Sequence, residues 1–343
     1  MKKRVLSFDL IRCLAIFCIV IFHLMLNDSH IYPESIFFHN YDMAQVGVSL
    51  FFILSGAALY YNDTEEFSVL KYYKKRFLAI FPMFYVAYVG TFLYYFWVRG
   101  SINPDIPFKN MIFSVFAMDG LFGYKVPCLN MTGEWFLGCI VFIYLAYPVI
   151  RWAMKKKPVI TMVAALAVYF VLYYNYRFEL SLLYNPVIRG LEFVFGMFYI
   201  EMLERKDKVF DNISWIKLVI ALTVTLIIWY APVPIPQMWM ISFGGMALFV
   251  VLMEAGKLIR TPKLTNMIKT GSKYSYAVFL VHHNVAFAVQ NHFAELGGLH
   301  RKFEFVCAVL CYFILVGFFA KLLHMATKKI MLLFKRQNMQ VNS

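Results

Sequence analysis

The chain has 343 residues, of which 62% are hydrophobic and 15% are charged. Soluble domains average about 45–50% apolar and about 25% charged residues, so the composition excludes an ordinary soluble domain and also intrinsic disorder. The net charge of +14 would suit a nucleic-acid partner, but basic residues on the cytoplasmic loops of a membrane protein produce the same excess.

Apolar stretches long enough to cross a bilayer recur along the whole sequence. A transmembrane helix needs about 20 mostly apolar residues. Ten stretches fit this length approximately, in chain order: 8–26, 44–61, 77–98, 134–152, 158–174, 186–203, 215–230, 236–255, 273–293 and 303–326. The longest connection, 99–133, contains a half-length apolar piece at 110–122 that we expect to be re-entrant or interfacial. We therefore predict an all-α integral membrane protein with about ten transmembrane helices.

The distribution of Lys and Arg predicts the topology. With the N-terminus inside and ten alternating spans, 23 of the 33 Lys and Arg residues fall on inner segments, 6 on outer segments and 4 within spans. This asymmetry favours cytoplasmic termini at both ends and removes the need for a nucleic-acid partner. No linker or repeat divides the chain, so we predict one membrane domain over 1–343, with spans in 8–326 and a short cytoplasmic tail at 327–343. The predicted location is the cell membrane.

The first predicted helix carries three polar residues, which are costly inside a bilayer unless paired or hydrated. Asp9 and Arg12 are three residues apart and can pair on one helix face. Arg12 and His23 are eleven apart, which returns to within about 20° of the same face at a separation of about 16 Å along the axis. The stripe has a cation near the inner end and an imidazole toward the outer half. Alternatively, Asp9 and Arg12 only cap the helix while His23 packs against a neighbour.

Other polar residues indicate structure more than chemistry. Glu192 follows Arg189 by three residues, so the two are expected to pair. The six cysteines form no disulfide framework, and no metal-ligand spacing is present.

Five segments in order resemble one family. They are FDLIR followed by His23, with ten residues between Arg12 and His23, then GVSLFFILSGAALYY (47–61), KKRFLAIFP (74–82), TGEWFLGCIVFIYLAYP (132–148) and YSYAVFLVHH (274–283). Together they are similar to the motifs of the membrane-bound acyltransferase 3 family, and the resemblance covers nearly the whole chain.

The resemblance implies transfer of an acyl group, usually acetyl, from cytoplasmic acyl-CoA to a hydroxyl of an extracytoplasmic glycan or lipid-linked sugar. Acyl-CoA would be a substrate, with no permanently bound cofactor or metal. A basic group at the inner face would hold the phosphates of acyl-CoA: Arg12, Lys74, Lys75 and Arg76.

Catalytic roles follow from the same resemblance. His23 would be the general base or a transient acyl carrier, with Asp9 fixing Arg12. His282 would be a second base or would orient an oxyanion donor. His283 is next to His282 on a helix, so we expect it to face elsewhere and to pack.

The acceptor would meet the outer end of the fourth predicted helix. Glu134 would bind a sugar hydroxyl and Trp135 would stack on the ring. The alternative for this pair is an acid favoured by the helix dipole beside an interfacial tryptophan.

Two other classes of protein share the hydropathy: a secondary transporter or flippase for a polar lipid or glycan precursor, and a non-catalytic membrane scaffold. Transporters usually carry internal repeats, which this sequence lacks. The acceptor, the acyl group and homo-oligomer formation stay open.

Overall fold

The computed structural model is all-α over the part of the chain that it describes. It describes residues 4–25, 43–100, 106–129, 131–132, 135–204, 213–230, 234–295 and 301–341. The α-helices, numbered in chain order, are α1 Leu6–Met25, α2 Met43–Tyr61, α3 Val69–Arg99, α4 Met111–Val115, α5 Asp119–Phe122, α6 Trp135–Lys156, α7 Pro158–Tyr174, α8 Pro186–Glu204, α9 Trp215–Tyr230, α10 Gln237–Ala255, α11 Pro262–Glu295 and α12 Arg301–Val341.

The long helices match the predicted apolar stretches one for one, with the largest differences in α11 and α12. Among the described residues, six helices are long and apolar enough to cross a membrane: α1, α2, α3, α6, α10 and α12. Two further apolar helices, α7 and α9, are shorter. The chain is therefore a multi-pass membrane protein. Ten spans and cytoplasmic termini stay predictions.

Local sequence explains several helix ends. The hydroxyl of Ser68 accepts a hydrogen bond from the amide of Lys71 and caps the start of α3. At the other end of α3, Gly100 adopts a left-handed conformation with φ 70°, and its amide donates to the carbonyl of Phe96 at 2.9 Å. Pro158 is the first residue of α7, where a missing amide proton costs nothing.

The chain forms two compact units, which are described separately. The first contains residues 1–22, 35–67 and 139–273, and the second contains 23–34, 68–138 and 274–343.

In the first unit, α2 packs against α8 so closely that the backbones of the two helices are in contact. A Cβ on Gly56 would lie 2.8 Å from the carbonyl carbon of Phe193, and one on Gly196 would lie 2.9 Å from the amide nitrogen of Ala57. These two glycines allow the helix backbones to approach as closely as small residues do in membrane interfaces.

In the second unit, the half-length apolar piece forms two short helices, α4 and α5, that dock on α3. The hydroxyl of Tyr85 donates to the carbonyl of Val115 at 2.9 Å. The buried carboxylate of Asp119 accepts hydrogen bonds from Ser114 at 2.8 Å and from Tyr88 at 3.0 Å. This segment is thus held by polar contacts instead of forming a span.

Candidate active site

The Asp9 network, formed by Arg4, Asp9, Arg12 and Ser272, lies in the first unit. Asp9 is buried near the start of α1 and accepts a hydrogen bond from the Ser272 hydroxyl at 2.6 Å and one from Nε of Arg4 at 2.6 Å. Nη1 of Arg12 lies 3.4 Å from the Asp9 carboxylate and 3.0 Å from the Ser272 hydroxyl oxygen. The predicted Asp9–Arg12 pair is confirmed.

Arg12 keeps part of its guanidinium available for a ligand. Its Nη1 is committed to Asp9 and Ser272, while Nε and Nη2 make no hydrogen bond within the described residues, and the side chain is 32% exposed. Two cations face one carboxylate in this network, leaving one net positive charge. A tethered guanidinium with open N–H donors is suited to a phosphate or carboxylate.

The histidine cluster, formed by His23, His282 and His283, lies in the second unit. The ring of His23 meets that of His282 with centroids 4.9 Å apart and that of His283 with centroids 5.0 Å apart, both edge to face. The expectation that His283 faces away is therefore wrong. Adjacent helical residues diverge by about 100°, but the His23 ring lies between the two directions and contacts both.

The hydrogen bonding of His282 determines its tautomer. Its Nδ1 lies 2.6 Å from the carbonyl oxygen of Phe279, which can only accept, so Nδ1 carries the proton. The side chain is buried, and Nε2 has no hydrogen-bond partner within the described residues. A neutral His282 therefore presents a lone pair on Nε2 that is free to accept a proton.

A side chain from α11 holds the C-terminal end of α1. Nε2 of Gln290 donates to the carbonyl oxygens of His23 at 3.1 Å and of Leu24 at 2.7 Å. Carbonyls in the last turn of a helix have no partner within the helix, so Gln290 satisfies two of them and fixes the backbone of His23.

The family model for acyltransferase 3, described as an acyltransferase domain, matches residues 5–325. The chain belongs to the acyltransferase 3 family. No curated protein and no solved structure matches it significantly. Family membership confirms the resemblance and makes this chain a membrane acyltransferase.

The remaining predicted donor-site residues of this acyltransferase lie on α3, in the second unit. Lys74 and Lys75 are exposed and Arg76 is half-buried. Arg12 belongs to the first unit. The shared role of these residues stays a prediction.

Of the two predicted acceptor residues, Trp135 is half-buried at the first position of α6. Glu134 lies outside the described residues. The next residue, Phe136, packs on Phe279 of α11 with ring centroids 5.3 Å apart.

Arg189 and Glu192 pair as expected, and both are completely buried. Nη1 of Arg189 donates to Glu192 at 2.8 Å, its Nη2 donates to Gln45, and Ser242 donates to Glu192 at 3.0 Å. This network joins α2, α8 and α10, which is a structural role. Within the described residues, no three His, Cys, Asp or Glu side chains could hold a metal ion together.

Sequence reasoning missed Ser272 and Arg4 in the Asp9 network, and it missed Gln290 beside the histidine cluster. Ser272 precedes the predicted ninth stretch by one residue, whereas α11 begins at Pro262 and places Ser272 inside a helix. A search for polar residues beyond the apolar boundary of each span would have included it. Nothing in the local sequence marks Gln290, because its partners are carbonyls 267 and 266 residues away.

Proposed function

We propose that this acyltransferase moves an acetyl group from cytoplasmic acetyl-CoA to a hydroxyl of an extracytoplasmic glycan or lipid-linked sugar in the cell membrane. The observation that carries the proposal is the contact of His23 with two further imidazoles on α11. Ionisable side chains within apolar helices are costly and usually mark a functional site, and acyl transfer to a hydroxyl needs a base.

The donor is expected to bind through its phosphates. Asp9 and Ser272 hold one edge of the Arg12 guanidinium, so the remaining N–H donors keep a fixed direction toward an anion. Lys74, Lys75 and Arg76 would add positive charge at the inner face, with acyl-CoA serving as a substrate.

The transfer step balances with one base. His23 takes the proton of the acceptor hydroxyl as that oxygen attacks the thioester carbonyl. The new C–O bond forms, the C–S bond breaks, and the departing thiolate receives the proton from His23. The lone pair on Nε2 of His282 supports a role as a second base, because the proton on Nδ1 is donated to the carbonyl of Phe279 and leaves Nε2 able to accept one. A variant of the same chemistry uses His23 as a transient acyl carrier.

The acceptor is expected to stack on Trp135, since aromatic rings offer sugars a flat apolar face. The predicted contribution of Glu134 is a hydrogen bond from a sugar hydroxyl to its carboxylate.

The test measures acetyl-CoA binding and slow hydrolysis by protein purified into phosphatidylcholine nanodiscs. His23→Ala should keep binding and lose turnover by roughly 100-fold or more, and its control is His292→Ala, which removes an exposed histidine of the same helix as His282. Arg12→Ala should weaken binding by roughly tenfold or more, and its control is Arg260→Ala, an exposed arginine. A wild-type protein that neither binds nor hydrolyses any short acyl-CoA would refute the proposal and direct work to transport assays.

A further inference from the structure

The turn of α11 that carries His282 and His283 is flanked by two contacts to the chain around the start of α6. On one side, Nδ2 of Asn284 donates to the carbonyl oxygen of Met131 at 2.8 Å. On the other side, the ring of Phe279 packs against that of Phe136. Phe279 and Asn284 are five residues apart, about 7.5 Å along the helix axis, and the two histidines lie between them.

Both ends of the Asn284 amide are used. While Nδ2 donates to Met131, Oδ1 accepts a hydrogen bond from the hydroxyl of Tyr95 on α3 at 3.0 Å. The bond to Met131 fixes which end of the amide faces it, because a carbonyl oxygen only accepts and would repel Oδ1, whereas the Tyr95 hydroxyl can bond to either end. One half-buried side chain thus joins α3, α11 and the segment before α6.

These contacts restrict Trp135. It follows Met131 by four residues, so its Cα lies at most about 14 Å from the Met131 Cα, and it is the neighbour of Phe136. The chain is therefore anchored to the histidine-bearing turn on both sides of Trp135.

We propose that Asn284 is a positioning residue for the acceptor: it holds Met131 beside the histidine-bearing turn while Phe136 packs on Phe279, so that a sugar stacked on Trp135 presents its hydroxyl to the histidine cluster. This inference rests on the proposed function. Asn284 acts on the approach of the acceptor and leaves donor binding and the base intact. Water needs no such alignment, so hydrolysis of acetyl-CoA should not depend on Asn284.

The chain contains a matched control in the connection between α3 and α6, the same connection that contains Met131. Nδ2 of Asn110 donates to the carbonyl oxygen of Pro127 at 2.9 Å, the same type of bond as that from Asn284 to Met131. Asn110 makes this bond within the segment instead of to α11. Converting either asparagine to aspartate removes the amide donor with almost no change in shape and introduces a carboxyl group, so the control receives the same chemical change.

The experiment uses the full chain in phosphatidylcholine nanodiscs, whose lipid has no free hydroxyl, with octyl β-glucoside as the acceptor probe. Acetate and acetylated glucoside are measured together from labelled acetyl-CoA. Asn284→Asp should raise the KM for octyl glucoside by roughly tenfold, as expected for losing one buried hydrogen bond to an ordered segment, while hydrolysis stays within about twofold. Asn110→Asp should leave the ratio of transfer to hydrolysis unchanged, whatever it does to thermal stability.

Equal losses of transfer and hydrolysis in Asn284→Asp, or an equal rise of the KM in Asn110→Asp, would overturn the inference while leaving the proposed function standing. No acetyl-CoA turnover by wild type would refute the proposed function itself, and the inference with it. If Asn284→Asp does not fold, Tyr95→Phe decides the question: it releases the amide at one end and should raise the acceptor KM by a smaller factor with hydrolysis unchanged.

Discussion

Replacing Gly196 by alanine should destabilise the fold at the contact between α2 and α8. The new Cβ would lie 2.9 Å from the amide nitrogen of Ala57 and closer still to the carbonyl oxygen of Ile53, whereas ordinary contacts begin at 3.4 Å. Both atoms belong to the backbone, so no side-chain rotation relieves the clash and the helices must separate. Overpacking of this kind costs about 1–3 kcal/mol of folding free energy. Because the contacting atoms belong to the backbone of α2, we expect Gly196→Ala to lie at the upper end of this range.

The control is Gly190→Ala in the same helix, because a Cβ on Gly190 would meet nothing within 4 Å. Alanine favours a helix over glycine by about 0.5–1 kcal/mol, so this variant should be as stable as wild type or slightly more stable. Thermal unfolding of purified protein, followed by intrinsic fluorescence, should show a Tm lowered by roughly 4 °C for Gly196→Ala. If both variants melt at the same temperature, the backbone contact is not the cause.

Three further predictions concern the polar contacts. Asp9→Asn should weaken acetyl-CoA binding by roughly tenfold, because the guanidinium loses a charged anchor worth about 1.4 kcal/mol or more; titration calorimetry measures it, and unchanged affinity would contradict the tether. Gln290→Met keeps the side-chain length but removes the cap on the His23 carbonyl, so kcat should fall while donor affinity is retained; a fall in affinity alone would contradict a role at His23. Arg189→Met should greatly reduce the folded yield by leaving the Glu192 carboxylate buried and unpaired, at a cost of about 3–5 kcal/mol, and adding Glu192→Met should recover yield in size-exclusion profiles.

Much of the fold could be predicted because the deciding signals are local. A run of about 20 apolar residues marks a helix regardless of its neighbours, and ten stretches predicted from such runs each coincide with a long helix. Spacing of three residues likewise predicted the contacts of Asp9 with Arg12 and of Arg189 with Glu192. A polar segment that continues a helix beyond its apolar stretch has no such run of apolar residues. For this reason the first eleven residues of α11 were not predicted as helix.

The candidate site was less predictable because its contacts join distant parts of the chain. His23 was singled out as a polar residue of the first helix and His282 by a family motif, but the contact between their rings depends on the tertiary fold. His283 was misjudged because helical geometry gives the direction of a side chain and not the position of a third ring. Ser272 and Asn284 gain their roles from partners more than 150 residues away.

The length of α12 has a practical consequence. Its 41 residues measure about 60 Å at 1.5 Å per residue, whereas a bilayer with its headgroups is about 40–45 Å thick. Tilting alone would require more than about 40°, beyond the usual range for membrane helices, so one end of this helix must extend beyond the lipid. The apolar part, Phe303–Phe334, leaves this to the C-terminal end. A fluorescent protein or epitope fused after Ser343 would gain a built-in spacer from the membrane surface, and the side from which it is accessible would show on which side of the membrane α12 ends.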